Sequence, residues 1–197
     1  AEFMSNVSHE LRTPITSIKS YVDTLCNHGE KLDPEIHREF LEIIDNEADR
    51  LMHLVNDVLE LSKFEEAERD MEMVPMDIHR ACESAVRSLN LMARDRGIEL
   101  ELVPYANIPL AILYQESIER VIINLISNGI KYTPEGGKVS VILGVTDKEI
   151  AVHIKDTGIG IPEDSLEHIF DRFFRVEKKV HTIKGTGLGL TIVTKIL

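Results

Sequence analysis

The sequence has 197 residues, of which 43% are hydrophobic, and a formal net charge of −12 at pH 7. This is enough apolar material for one large folded domain or two small ones. The acidic excess disfavours a nucleic-acid partner, because a phosphate backbone is bound by Lys and Arg. Polar side chains interrupt the longest apolar stretch, so we expect no membrane contact within this fragment. Cys26 and Cys82 lack the spacing of a metal site.

Charge is distributed unevenly along the chain. Residues 1–67 hold 6 Lys or Arg against 15 Asp or Glu, whereas residues 68–197 hold 16 against 19. The hydrophobic pattern changes near the same point. We therefore predict two domains, residues 1–66 and residues 67–197.

The N-terminal domain has the pattern of two amphipathic helices. Apolar residues recur at helical spacing from Val7 to Leu25, and a second helix opens at Asp33, a candidate N-cap, with Pro34 in its first turn. A hairpin of about 60 residues buries too little surface to be stable alone. Two copies packed as a four-helix bundle solve this problem, so we predict a homodimer. The acidic outer faces also fit an ordinary solvated surface.

The C-terminal domain combines helical and strand patterns. A predicted helix over residues 78–94 precedes a strand over 99–103, and alternating apolar residues predict two further strands joined by a turn at 146–149. These segments predict a sheet covered on one face by helices. The two strands joined by this turn are residues 139–145 and 150–154. Further helices are predicted near residues 115–131, 163–170 and 188–197.

One histidine stands beside a proline inside the first predicted helix. Pro14 removes the bond to the Glu10 carbonyl at a cost of about 3 kcal/mol, which predicts a kink near His9. Glu10 can hydrogen-bond one ring nitrogen of His9 and leave the other with a free lone pair, and Thr13 shares the face of His9. His9 is therefore a candidate nucleophile. A surface histidine beside a glutamate is also common.

Polar residues line one side of the predicted helix at 115–131. Asn124 and Asn128 are one turn apart, and their amide oxygens suit a hard cation such as Mg²⁺. Lys131 on the same side could reach a phosphate. An ordinary amphipathic helix has the same pattern.

Two glycine-rich segments follow in the C-terminal domain. Residues 156–162 come after a strand, and the Asp156 carboxylate can accept a hydrogen bond from an exocyclic amine. Residues 185–190 open a helix, whose N–H groups can bind phosphate. Between them, residues 170–184 resemble a mobile lid with basic side chains. A turn, a helix cap and an exposed loop are the plainer alternatives.

Taken in this order, these motifs closely resemble those of the sensor histidine kinases of two-component signalling. The segments that match the H box, N box, first glycine box, F box and second glycine box are residues 8–14, 124–132, 156–162, 169–175 and 185–190. The resemblance covers nearly the whole chain.

The resemblance implies an α+β fold: a helical hairpin that forms a dimeric four-helix bundle, followed by a two-layer α/β sandwich of the histidine kinase and gyrase type. It implies ATP and Mg²⁺ as cofactors, autophosphorylation of His9, and transfer to an aspartate of a response regulator receiver domain, with phosphatase activity as a further expectation. The chain would then be the cytoplasmic part of a membrane-anchored sensor, and the last strands of the sandwich would lie beyond residue 197.

The resemblance also implies residue roles. His9 would be the phosphoacceptor, Glu10 would orient and deprotonate it, and Thr13 would position water for dephosphorylation. Asn128, helped by Asn124, would hold Mg²⁺. The nucleotide-binding residues would be Asn124, Asn128, Lys131, Tyr132, Asp156, Gly158, Gly160, Ile161, Arg175, Gly185, Thr186, Gly187, Leu188 and Gly189.

Two other functions compete with this interpretation. ATPases of the gyrase, heat-shock chaperone and mismatch-repair type carry a glutamate at the start of the N box to activate water, whereas this chain has Asn124 there. A degenerate kinase that serves as a dimeric scaffold would be expected to have a broken motif, and all five motifs are intact.

Overall fold

The structure is a computed structural model that describes residues 2–67, 72–103, 107–146, 149–176 and 186–197. It divides into two compact units. The described residues up to Ala67, grouped with Thr186, form the first unit, and the other described residues form the second. The first is helical and the second combines helices with a sheet, which confirms the predicted α+β class.

The first unit is a hairpin of two long helices, α1 (Glu2–His28) and α2 (Pro34–Ala67). A single 3-10 turn, Gly29–Lys31, follows α1. The Asp33 carboxylate accepts a hydrogen bond from the Glu35 backbone N–H at 2.9 Å, so the predicted start of the second helix is confirmed. Across the hairpin, the rings of Tyr21 and Phe40 meet edge to face with centroids 4.9 Å apart.

Pro14 lies inside α1 without ending it. The helix is continuous from Glu2 to His28, although the proline has no N–H to donate to the Glu10 carbonyl. Pro14 itself is fully buried. The tertiary surroundings of the proline therefore offset part of its cost to the helix.

The second unit contains a three-stranded sheet whose central strand is β4 (Lys138–Val145). It pairs in parallel with β2 (Glu99–Val103) and antiparallel with β5 (Ile150–Asp156). A separate antiparallel pair consists of β1 (Val74–Met76) and β3 (Ala111–Leu113). The three predicted strands of the main sheet are confirmed.

Ion pairing reinforces the parallel pair of β2 and β4 on the more exposed face of the sheet. The Lys138 ammonium lies 2.8 Å from Glu101 Oε2 and 3.0 Å from Glu99 Oε1. Hydrogen bonding to Glu101 and then to Glu99 raises the pKa of Lys138, and hydrogen bonds from Lys138 and then Ser140 lower the pKa of Glu101. These groups are exposed, so the main effect is to favour one register over a slipped one.

Among its described residues, the second unit also has three helices: α3 (Ile78–Asp95), α4 (Gln115–Tyr132) and α5 (Gly189–Ile196). α4 packs against α3, α5 and the sheet. The core between helices and sheet is apolar, and its buried members are Met76, Ile78, Ala81, Cys82, Ala85, Ala93, Ile98, Ile122, Ile126, Ile130, Val139, Val141 and Leu143.

Gly129 sets the distance between α4 and the sheet. A Cβ atom at this position would lie 3.1 Å from Val139 Cγ1 and 3.8 Å from Asp156 Cβ. In the sequence, a glycine here suggests only a looser helix, since glycine costs about 1 kcal/mol relative to alanine. The structure shows what the missing side chain permits: the buried face of α4 lies directly on β4 and β5.

The predicted helix near residues 163–170 is wrong. Glu163–Ser165 form one 3-10 turn, and tight turns follow. A helix is stabilised chiefly by burying an apolar face, and Leu166 and Phe170 are both 47% exposed, so this segment has no such face. Strands β1 and β3 were not predicted, because three residues are too few to show alternation.

No helix in the described ranges is both long and apolar enough to span a bilayer.

We predict that Gly129→Val destabilises the second unit by about 1–3 kcal/mol, because the branched side chain would overlap Val139. Thermal and urea unfolding of the purified protein would measure this. Gly144→Val is the matched control, since its Cβ would meet only Ala151 Cβ at 3.9 Å and valine suits a strand. Equal stability of the two variants would contradict the proposed role of Gly129.

Candidate functional site

In the first unit, the His9 imidazole lies on the exposed side of α1. It borders an open groove along the helix, whose other lining residues are Arg12, Thr13, Thr16, Ser17, Ser20 and Tyr21. The Thr13 hydroxyl donates to the His9 backbone carbonyl at 3.3 Å, one helical turn away. The imidazole is thus accessible and is followed along the helix by hydroxyl groups.

Glu10 does not bond to the imidazole in this structure. Its Oε2 accepts a hydrogen bond from Arg50 Nη2 of α2 at 3.4 Å. Adjacent residues of a helix point about 100° apart, and Arg50 offers a charged donor on the side of Glu10 that faces α2. The suggestion that Glu10 bonds to His9 is therefore not met in this conformation.

In the second unit, Asn124 and Asn128 lie on α4 next to the start of α5. A Cβ atom at Gly189 would be 3.8 Å from Asn124 Oδ1 and 3.9 Å from Asn128 Nδ2. Asn124 Nδ2 is buried and has no hydrogen-bond partner in the described part of the chain. An unpaired buried donor is costly, so this atom suits a ligand oxygen.

The first glycine box folds against the end of α4. The Gly158 N–H donates to Asp156 Oδ1 at 2.8 Å, and the Ile159 N–H donates to the Tyr132 carbonyl at 3.1 Å. A Cβ atom at Gly158 would lie 2.6 Å from both acceptor oxygens, so only glycine fits. The predicted residues Tyr132, Asp156 and Gly158 are therefore brought together.

Thr157 fixes the same loop from the other side. Its hydroxyl accepts from the Lys138 N–H at 2.9 Å, and its own N–H donates to the Lys138 carbonyl at 3.0 Å. Asp156 is thus followed directly by two anchored residues, Thr157 and Gly158. Sequence reasoning missed Thr157, and the only available signal was its place inside the glycine box.

The second glycine box packs against the F box. Gly187 has a φ of +74°, and a Cβ atom there would be 2.7 Å from the Phe173 carbonyl carbon. The Phe173 N–H donates to the Gly187 carbonyl at 3.0 Å. Further along, the buried Thr191 hydroxyl donates to the Phe170 carbonyl at 3.1 Å. These contacts join two motifs that sequence reasoning had treated separately.

For the remaining predicted nucleotide-binding residues, the structure gives burial and backbone conformation. Lys131 and Arg175 are half-buried, Ile161 is 48% exposed, and Leu188 is fully buried just before α5. Gly160 turns the chain with a φ of +70°. Thr186 is grouped with the first unit, and Gly185 lies outside the described residues, as does most of the predicted lid.

Arg96 is a second residue that sequence reasoning missed. Its Nη1 donates to the Lys131 carbonyl at 3.2 Å and to the Ile130 carbonyl at 3.5 Å. A positive group at this point satisfies carbonyls that the end of α4 leaves without helical partners. The first glycine box and Arg96 together therefore hold the last turn of α4.

The described residues contain no cluster of three or more His, Cys, Asp or Glu that could hold a metal ion. Amide oxygens of Asn124 and Asn128 remain as hard donors. They are too few for a cation held by protein alone, but they fit a cation that keeps waters and also binds substrate phosphates.

Comparison with known proteins bears on both units. The model for the His Kinase A (phospho-acceptor) domain matches residues 1–67, and that for the histidine kinase-, DNA gyrase B- and HSP90-like ATPase matches residues 114–197. The chain belongs to the sensor histidine kinases. The resemblance carried by the five sequence motifs is confirmed.

Individual sensor kinases are similar along the whole chain. Drug sensory protein A of Synechocystis sp. is 42% identical over 207 aligned residues, which cover 100% of this chain and 31% of that protein. Sensor histidine kinase WalK of Bacillus subtilis is 38% identical, with 100% and 32% covered. The chain thus spans about a third of the length of these relatives.

A solved structure of similar fold is the histidine kinase ThkA in complex with the response regulator protein TrrA. Its TM-score is 0.74 at 29% identity, and the match covers 89% of this chain and 51% of that one. The chain is therefore the catalytic core of a sensor histidine kinase.

We predict that Gly158→Ala weakens nucleotide binding by about tenfold or more, because the new methyl group would displace Asp156 or the end of α4. Titration with a fluorescent ATP analogue would measure the affinity. Gly144→Ala, whose methyl group has room, is the control. Unchanged affinity in a correctly folded Gly158→Ala variant would contradict the role given to this loop.

Proposed function

We propose that the chain uses Mg-ATP to phosphorylate His9 and then transfers the phosphoryl group to an aspartate of a response regulator receiver domain. Residues 1–66 would form the dimerisation and phosphotransfer domain, and residues 67–197 the nucleotide-binding domain. We further propose that it acts as the cytoplasmic part of a membrane-anchored sensor, as the resemblance implies.

The observation that carries the proposal is the convergence of the N box and the second glycine box. Asn124, Asn128 and Gly189 lie together at the first turn of α5, and the buried Asn124 Nδ2 has no acceptor among the residues that the structure describes. Helix N-termini attract phosphate through their unpaired N–H groups. The site is therefore built to receive a polyanion between two helices.

Asp156 would recognise the adenine base. The Gly158 N–H holds its Oδ1, and Oδ2 makes no hydrogen bond within the described ranges. A carboxylate oriented in this way can accept a hydrogen bond from the exocyclic amine of adenine. Tyr132 and Ile161, both partly exposed near the same loop, would supply apolar contact with the base.

Mg²⁺ would be held by the amide oxygens of Asn128 and Asn124 together with the nucleotide phosphates. A half-turn of the Asn124 amide exchanges its oxygen and nitrogen, so this side chain can present either atom to the ligand. When bound, the cation supplies charge neutralisation at the phosphate oxygens. Lys131 and Arg175 would add positive charge around the same phosphates.

At His9, the lone pair of one ring nitrogen would attack the γ-phosphorus. A nitrogen–phosphorus bond forms, the bond from phosphorus to the bridging β–γ oxygen breaks, and ADP leaves. Glu10 would accept the proton of the other ring nitrogen, which keeps the attacking nitrogen nucleophilic. Receiver aspartate would later attack the same phosphorus and restore the free imidazole.

The hairpin would dimerise and receive the regulator. Large apolar side chains remain exposed along both helices, which is typical of a surface that packs against a second copy. They are Ile15, Val22, Ile36, Leu41, Met52, Val55 and Leu59. The hydroxyl-lined groove beside His9 would then stay open for a receiver domain.

The decisive experiment follows the label of γ-labelled ATP. We expect acid-labile, alkali-stable label on the wild-type protein and none on His9→Gln, because the nucleophile is gone. His28→Gln, also on α1, is the matched control and should label normally. Rapid release of free phosphate with no labelled protein would instead indicate an ATPase of the gyrase type.

A second experiment tests phosphatase activity. We expect Thr13→Ala to slow dephosphorylation of a phosphorylated regulator by about tenfold or more, since the hydroxyl would no longer position water. Thr24→Ala is a close control, because the Thr24 hydroxyl also donates to a carbonyl one turn earlier, at 2.9 Å. Equal rates for the two variants would remove Thr13 from the mechanism.

A further inference from the structure

Arg50 lies between two carboxylates in the helical hairpin. Its Nη2 is 3.4 Å from Glu10 Oε2 on α1, and its Nη1 is 3.8 Å from Glu47 Oε2, one turn earlier on α2. All three side chains are partly shielded, with exposed fractions of 26% for Arg50, 37% for Glu10 and 25% for Glu47. The guanidinium therefore links the residue next to His9 to the inner side of α2.

Glu47 is a charged residue at a position where the helical pattern of α2 predicts an apolar one, so it interrupts the apolar stripe. Its Oε2 is buried and has no hydrogen bond in the part of the chain that the structure describes. A buried carboxylate oxygen without a donor is costly, so the charge on Arg50 is what makes Glu47 tolerable there. Glu47 and Glu10 therefore share one guanidinium, and the charge of Glu47 weakens the hold of Arg50 on Glu10.

The His9 imidazole, in contrast, makes no hydrogen bond with any described side chain. Glu10 is its neighbour in sequence, yet the Glu10 carboxylate is directed to α2 by Arg50. The Glu10 carboxylate cannot hydrogen-bond fully to both Arg50 and the His9 imidazole, because these two groups lie on different sides of α1.

We propose that Arg50, which is shared between Glu47 and Glu10, is a positioning residue that competes with His9 for Glu10. While Arg50 holds the carboxylate, the imidazole lacks its proton acceptor and reacts slowly. When the carboxylate leaves Arg50, it fixes the imidazole tautomer and supports attack on phosphate. The inference rests on the proposed function of Glu10 as the partner of His9.

The geometry explains why an arginine occupies this position. Its two terminal nitrogens reach two carboxylates on different helices at once, in a planar fork that lysine lacks. A relative shift of α1 against α2 would change one of these two distances before the other. The pair therefore couples the packing of the hairpin to the state of Glu10.

The first test is Arg50→Ala in the whole chain. We expect nitrogen-15 spectra of labelled histidine, at a pH where the ring is neutral, to show the His9 signal shifting toward a single tautomer. The His9 signal is assigned by its absence from His9→Gln. Autophosphorylation at saturating ATP should rise about two- to fivefold, the range that a partly exposed ion pair accounts for, with KM for ATP unchanged.

Glu47→Gln tests the same idea with the opposite sign. Without the Glu47 charge, Arg50 pairs more fully with Glu10, so we expect a slower rate and a more mixed His9 tautomer. Arg38→Ala removes another arginine of α2, whose ion pair with Glu42 is exposed, and should change neither readout. Circular dichroism confirms that each variant is folded, and Arg50→Gln, which is neutral but similar in length, replaces Arg50→Ala if the latter is not.

Several outcomes would overturn the inference. One is an unchanged His9 tautomer in Arg50→Ala or Arg50→Gln, and another is a fall in rate with no change in tautomer, which would indicate a structural role only. The inference would also be rejected if Glu47→Gln and Arg50→Ala changed the autophosphorylation rate and the His9 tautomer in the same direction. If no variant, including wild type, carries label, the proposed function fails, while the tautomer readout still tests the link from Arg50 to Glu10.

Discussion

The close approach of α4 to the main sheet is the constraint on which the second unit depends. Gly129 permits it, because any side chain there would meet Val139. With α4 seated on β4 and β5, its last turn comes within hydrogen-bonding distance of the loop after Asp156. The face of α4 that bears the two asparagines is left turned toward α5. The absence of a side chain at Gly129 thus allows the end of α4 to reach the first glycine box.

Around that contact, the motif loops are held by backbone bonds rather than by long side chains. Tyr132 offers a carbonyl to the first glycine box, and Gly187 exchanges contacts with Phe173. Backbone bonds of this kind need glycine where chains approach closely, whereas the neighbouring side chains stay available for a ligand. The hairpin differs, since there a charged side chain, Arg50, holds the carboxylate of Glu10, the residue next to His9.

The sequence was sufficient for the periodic elements and for the motifs. The apolar residues of α1 and α2 recur with a clear helical period, and those of β4 and β5 alternate as in strands. The five motifs were enough to identify the family. Strands β1 and β3 are too short to show a period, and residues 163–170 imitate a helix without a buried face. Partners such as Arg50 for Glu10, Thr157 for Lys138 and Arg96 for Lys131 are distant in sequence, so only the folded chain reveals them.

The mixed pairing of the main sheet also has a consequence for the order of folding. β4 and β5 are joined by a short connection and meet as a local hairpin, whereas β2 reaches β4 only after β3 and α4 have been traversed. Closing the longer loop costs more chain entropy. We therefore expect the hairpin of β4 and β5 to form first and to provide the surface on which α4 packs, so that the loops of the candidate site become ordered late.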